Sequence, residues 1–352
     1  ENTPRFNYSF GASCPSLLLE GSRTNLFPNS EYFSSWQVFR GSLTANSISS
    51  PEGVVNAYRY EENSDTGQHF VRFQSISMTS GTDYTASVFV KAGELTYIVL
   101  GSNSASLWNP STTTFNLSTG SVTSGGGTIE PIGNDGWYRC IISGECLTTT
   151  SSAGLEITTS GGAGSTGDGL YIYGAQIEQG SYPTSYIPTY GTSVTRAFDE
   201  CIDAGDVNTF NSTEGTIYGE QKSLESNFSY NYFGALSDGT NNNRLEIRQA
   251  GTGLQFLWRV GGTFQSVIAL SNAPFSSTIK YALRYSSTDI KLYVNGSLVG
   301  TVNSPTLYPS GTLNNFQFAD GSGGTNFRGT VKQALYFSTA LSDADLAALT
   351  TI

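Results

Sequence analysis

Ile290-Lys291-Leu292-Tyr293-Val294-Asn295-Gly296-Ser297-Leu298-Val299-Gly300 is the most legible stretch of the chain. Ile290, Leu292 and Val294 alternate with Lys291 and Tyr293, the period-two pattern of a strand with one buried face. Asn295-Gly296 supplies two residues that tolerate positive φ, as a type I′ turn requires, and the chain returns through Leu298 and Val299. The reading is a β-hairpin. Phe256 to Val260 and Tyr281 to Tyr285 have the same strand character. Ser342-Asp343-Ala344-Asp345-Leu346-Ala347-Ala348-Leu349 is the one segment that reads as a helix, with Ser342 at the N-cap and acids in the first turn. Residues 213–352 are therefore expected to form one β-sandwich closed by a short helix.

Upstream the alternation recurs in Tyr84 to Val90, Tyr138 to Ser143 and Gly169 to Glu178. Turn formers such as Ser80-Gly81-Thr82-Asp83 and Asn134-Asp135-Gly136 separate these runs. Residues 26–195 are expected as a jelly roll. Pro4 and Pro15 make residues 1–25 an extended N-terminal arm. Its Leu17-Leu18-Leu19 run is too apolar to float in water and is expected to dock, closing the first domain. The segment Ser181 to Thr189, with Pro183 and Pro188, is expected along that domain's edge. Residues 196–212, with Asp199, Glu200, Asp203 and Asp206, read as a linker. The fold class is all-β, with two β-sandwich domains of jelly-roll type and one short C-terminal helix.

Composition narrows the partners. The 352 residues include 20 Tyr, 20 Phe and 40 Gly, but only 17 Lys plus Arg against 28 Asp plus Glu, for a net charge of −11. Aromatic residues suit a pleated surface and glycine suits its turns. With few charges, the surface is clothed in Ser, Thr, Asn, Gln and Tyr, which suits contact with sugars. The net charge repels nucleic acid, and no basic run offsets it. Acidic sugars would need a local basic patch that the linear sequence does not show. No stretch of about 18 apolar residues offers membrane insertion. The chain opens at Glu1, which reads as an internal start rather than a signal peptide. Cys14, Cys140, Cys146 and Cys201 are too sparse for a disulfide scaffold and match no zinc spacing, so free thiols are expected. A bridge between Cys14 and Cys201, which flank the first domain, stays open.

Two resemblances follow from motifs. Tyr293-Val294-Asn295-Gly296 with Val299-Gly300, then Phe327-Arg328-Gly329-Thr330-Val331-Lys332-Gln333-Ala334-Leu335-Tyr336-Phe337 and Ala340-Leu341-Ser342, resemble the concanavalin A-like, laminin-G-like sandwiches. The first domain resembles a segment of bacteriophage appendage proteins, tail fibres and head fibres among them, especially those of Bacteroidetes hosts. The matching pieces are Asn2-Thr3-Pro4-Arg5-Phe6, Cys14 to Glu20, Arg23-Thr24-Asn25-Leu26, Gly136-Trp137-Tyr138-Arg139-Cys140, Gly174 to Glu178, Tyr186-Ile187-Pro188-Thr189 and Val194-Thr195-Arg196. That resemblance implies a virion component whose first domain looks like the jelly rolls of carbohydrate-binding modules.

Catalytic chemistry has few candidates. His69 is the single histidine, no Gly-x-Ser-x-Gly elbow accompanies it, and a local hydrogen bond accounts for it better than a triad. The paired carboxylates of a glycosidase are not apparent. Glu246, in Arg244-Leu245-Glu246-Ile247-Arg248, has arginines that would keep it ionised and suits a salt bridge. No catalytic residue is assigned. Sugar binding would use aromatic faces with planar polar partners, and the candidates are Trp108 with Asn109, Trp36, and Trp258 with Arg259. Trp137 is expected in the core. Calcium is the one cofactor considered, at the oxygen-rich loops holding Asp238, Asn241 and Asp320, against the alternative of plain Asp-Gly turns. The expected function is a non-enzymatic virion appendage or decoration protein at the virion surface. It would be a homo-oligomer bound to other virion proteins and adhesive to glycan on a cell surface. The alternatives are a secreted bacterial lectin or carbohydrate-binding module, and a purely structural virion protein.

Overall fold

The computed structural model describes residues 4–7, 14–102, 108–109, 112–160, 164–224 and 228–352. The chain divides into two compact units, one made of Glu1–Gly21 with Phe198–Ile352 and the other of Ser22–Ala197. We call them the split unit and the inserted unit. Each has a hydrophobic core built wholly from its own residues. Among the described residues the fold is all-β apart from a one-turn 3-10 helix at Phe33–Ser35 and the helix Asp343–Thr350.

The split unit is a sandwich of a seven-stranded and a five-stranded antiparallel sheet. The decisive hairpin forms as Asp289–Val294 and Ser297–Asn303, with Asn295 and Gly296 both at positive φ. Ile290, Leu292 and Val294 enter the core opposite Leu245, Ile247, Phe256 and Trp258 of the five-stranded sheet. The helix Asp343–Thr350 is capped by the Ser342 hydroxyl, which accepts from the Asp345 amide. Its Leu346 packs with Tyr218, Ala282 and Tyr293, and Asp343 is paired with Arg284 and Lys291.

The arm departs from expectation. It docks, but on the split unit and not on the first jelly roll. Ser16–Leu19 is a strand antiparallel to Gly329–Phe337, with Leu17 opposite Val331 and Leu19 opposite Gly329. Leu19 joins that unit's core at 4% exposure. Arg5 reaches both Glu20 and Asp199, and the Asp199 amide donates to the Glu20 carbonyl at 2.9 Å. The chain's departure from the split unit is thereby fastened to its return. Residues 198–212, expected as a linker, also belong to this sandwich. Ala204 and Phe316 exchange backbone hydrogen bonds, and Phe210 is buried in the core. Phe210 and Cys201 meet the core, whereas Phe198, Ile202 and Val207 stay exposed together with Glu200, Asp203 and Asp206.

The inserted unit packs a seven-stranded sheet on a six-stranded sheet. Its entry and exit, Arg23–Asn25 and Val194–Arg196, pair antiparallel. The segment after Gln179 does not follow the sheet edge. It lies over the outer face of the seven-stranded sheet, where the Thr184 carbonyl accepts from Arg139 at 2.8 Å and Tyr186 packs edge-on against Phe89. Several of the motifs quoted from the first domain make this closure. Buried Asn25 donates to the Ala175 and Ile187 carbonyls and accepts from the Ile177 amide. Glu178 accepts from the Thr184 amide and hydroxyl, Gln176 accepts from the Ile187 amide, and Thr189 donates to the Phe27 carbonyl. A segment without sheet partners carries backbone groups that must be satisfied when buried, and these side chains satisfy them. All four cysteines are unpaired thiols.

Candidate functional site

In the five-stranded sheet of the split unit, one set of side chains fills the core and the alternate set faces away from it. Leu245, Ile247 and Gln249 alternate with Arg244, Glu246 and Arg248 along Arg244–Ala250. Cross-strand register extends the outward set, because directly opposed residues share a face. Arg244 is opposite Arg259, which is opposite Phe264. Glu246 is opposite Leu257 and Ala235, and Arg248 is opposite Gln255 and Tyr232. Three guanidiniums thus share one sheet face with a single carboxylate.

Glu246 is fully buried beneath its neighbours, with Arg244 and Arg248 paired to its two oxygens. Burial pushes the Glu246 carboxyl above its ordinary range, and the two arginines only partly offset this. The ion pair expected from the sequence is present, but desolvation outweighs the flanking charges. Arg248 also donates to the Gln255 side-chain oxygen from Nε and Nη2, at 3.3 and 3.2 Å. Its guanidinium lies 4.7 Å from the centroid of Tyr230, a ring that is half exposed. Cation and ring hold each other in place. Phe264 and Val267 continue the face as exposed apolar surface. The arrangement offers N–H donors on Arg248 and Arg259, the planar amide of Gln255 and exposed aromatic area at Tyr230 and Phe264, chemistry suited to contact with a polyhydroxylated or anionic ring.

The loops at one end of this face bring the expected calcium residues together. The Asn241 amide donates to the Ser322 hydroxyl at 2.9 Å, and the Ser237 hydroxyl donates to the Gly321 carbonyl at 3.0 Å. Asp238 and Asp320 do not face a shared centre. Asp238 Oδ1 accepts from the Thr240 amide and hydroxyl, and Oδ2 accepts from Asn243. Asp320 Oδ1 accepts from Ser322 and from the Gly324 amide. For both, burial raises the pKa, but these hydrogen bonds together outweigh it and hold the carboxyl below its usual range. Among the described residues no three His, Cys, Asp or Glu side chains converge as a metal site. Carboxylates engaged by N–H donors are those of closed Asx turns, and as folded the pair does not fit a calcium ion.

The aromatic candidates separate. Trp36, 4% exposed, packs on Phe27 and Phe33 inside the inserted unit. Trp258, 2% exposed, stacks on Phe256 in the core of the split unit and donates to the Thr306 carbonyl. Neither presents a face to a ligand, because each sits at a core-facing position of its fold. Arg259 is on the open face, where Nη1 donates to the Gly262 carbonyl. Trp108–Asn109 is a short strand paired with Cys146 and Glu145, and its side chains lie outside the described residues. Trp137 is buried as expected, but on the outer side of its sheet and not in the main core. His69 is buried with Nδ1 against the Gly67 carbonyl and Nε2 against the Asn63 carbonyl, a loop staple. Arg248, Tyr230 and Gln255 were missed as a group. The alternation Arg-x-Glu-x-Arg on a strand was a visible signal, since it places all three charges on one side.

Residues 204–347 match the model of the concanavalin A-like lectin/glucanases superfamily. The chain therefore carries a concanavalin A-like, laminin-G-like domain. No curated protein sequence matches the chain. Among solved structures, it is similar to the CBM40 module of the Ruminococcus gnavus IT-sialidase, at 18% identity over 44% of this chain and 96% of that one, with a TM-score of 0.37. The same module bound to alpha2,3 sialyllactose matches at 20% identity over 44% and 96%, with a TM-score of 0.37. A heptameric SAP-like pentraxin from Limulus polyphemus matches at 13% identity over 43% and 74%, with a TM-score of 0.36.

Proposed function

We propose that this chain is a non-enzymatic virion appendage or decoration protein of a bacteriophage that adheres to cell-surface glycan through the open face of the five-stranded sheet. The observation that carries the binding half is the Arg248 guanidinium, held by Glu246, Gln255 and Tyr230 with donors to spare. A preorganised cation beside exposed aromatic area favours glycans bearing a carboxylate or sulfate. The lectin-like match over residues 204–347 supports a binding role for the split unit. The virion half rests on the ordered motifs from Arg5 to Arg196, which resemble those of phage appendages. On this reading the chain sits at the virion surface as a homo-oligomer beside other virion proteins. It needs no cofactor and touches neither nucleic acid nor membrane interior. The test is an array of acidic and neutral glycans probed with the parent chain and with Arg248→Ala. Capture of acidic glycans should fall at least tenfold in the variant. Equal capture by both proteins would refute the face, and absence of the chain from purified particles of its phage would refute the virion assignment.

A further inference from the structure

An open cleft of about 660 Å³ lies in the inserted unit, on the outer face of its seven-stranded sheet. Its floor is one row of directly opposed residues: Trp137 is opposite Lys91, and Lys91 is opposite Tyr171, with Arg59 next in the row beyond the cleft. The segment carrying Thr184 and Tyr186 covers the neighbouring row of Phe89, Arg139 and Tyr173 and leaves this one open. Ser49 and Ser50 form one wall, and Asn134 and Asp135 form the other.

The floor is fixed before any ligand arrives. Trp137 Nε1 donates to the Ser49 carbonyl at 3.2 Å. The Tyr171 hydroxyl accepts from Arg59 at 3.0 Å, and Arg59 is itself anchored by Glu61 and Glu94. Lys91 differs from these, because among the described residues its ammonium has no hydrogen-bond or ion-pair partner. The cleft therefore combines held aromatic rings with an unspent cation, a carboxylate, an amide and hydroxyls.

We infer that this cleft is a second binding site, for an uncharged oligosaccharide. A sugar ring offers an apolar C–H face for half-buried Tyr171, which packs on the cluster that holds buried Trp137, and hydroxyls that both accept from Lys91 and donate to Asp135. The volume lies within the range of ordinary ligand pockets. The floor strands Asp83–Ala92 and Gly169–Gln179 are paired on both sides, so no free edge invites an added peptide strand. Lys91 and Asp135 balance in charge, which gives an anionic ligand no advantage here. The site is independent of the arginine face and stands whether or not that face binds.

The experiment probes the full chain with maltohexaose, cellohexaose, mannohexaose, xylohexaose and chitohexaose by array and calorimetry. At least one should bind. Tyr171→Ala and Lys91→Met should each weaken that binding tenfold or more while the melting profile holds. Lys91→Met keeps the length of a half-exposed side chain and guards against a folding artefact. No binding of any neutral hexamer to the parent, or undiminished binding in both variants, overturns the inference. Results with acidic glycans bear on the arginine face alone.

Discussion

At the scale of single residues, Asp320 and Glu246 pull the stability of the split unit in opposite directions with pH. The Asp320 carboxyl is held below its ordinary range, so its contribution is complete above the unfolded pKa, about 4. It is lost as pH falls through the lower folded value. Glu246 is raised by burial, so its contribution is complete below the ordinary range and is lost as pH rises through the folded value. Asp320→Asn removes one titration while keeping an acceptor oxygen for Ser322 and Gly324. The melting temperature of the split unit should then fall less steeply below about pH 4 than in the parent. Acid curves of equal slope would show that the Asp320 hydrogen bonds do not differ between folded and unfolded chains. The same carboxylate is also where a calcium ion would have to compete. Millimolar calcium or a chelator should leave the melting temperature unchanged, and a clear rise with calcium would show that the loops can open to it.

At the scale of elements, the strand Ser16–Leu19 matters beyond its length. It covers the edge of Gly329–Phe337, which would otherwise expose unpaired backbone. Leu19→Ala removes a buried side chain from the core and should cost about 3 kcal/mol. Calorimetry should show the loss in the transition of the split unit alone, because the cores share no residue. A shift in both transitions would contradict separate cores. Elements also show what could be read in advance. The hairpin at Asn295-Gly296 and the helix at Ser342 were legible because alternation, turn and cap are local signals. The destination of Leu17 to Leu19 was not, since its partner near Val331 is remote in sequence and nothing in the run names it. The arginine face was half legible: Arg244, Glu246 and Arg248 alternate on one strand, but Arg259 joins them only once the hairpin register is known. Trp36 and Trp258 were poor candidates for a different reason. Tryptophan is rich in contact area whether it meets a ligand or a core, and only neighbours such as Phe27 and Phe256 decide which.

At the scale of the whole molecule, the split unit is assembled from both ends of the sequence. A fragment of residues 213–352, the stretch that the linear reading took as a sandwich by itself, lacks Leu19, the edge strand and the bridge from Ala204 to Phe316. It should be soluble only with difficulty and melt well below the parent. Residues 22–197, by contrast, hold a complete core and their own paired entry and exit, and should unfold cooperatively when expressed alone. Circular dichroism melts of the two fragments check both statements. A disordered 22–197 fragment would mean that the inserted unit depends on its host.

The insertion also decides how the molecule carries tension. Residue 5 and residue 352 both belong to the split unit, so a pull between them is borne by the pairing of Arg5–Asn7 with Ser16–Leu19 and then by that strand against Gly329–Phe337. Until that strand peels away, the inserted unit lies outside the path of the load. A protein tethered at one end and dragged by flow would keep the cleft of Trp137, Lys91 and Tyr171 undistorted up to the rupture force of one short edge strand.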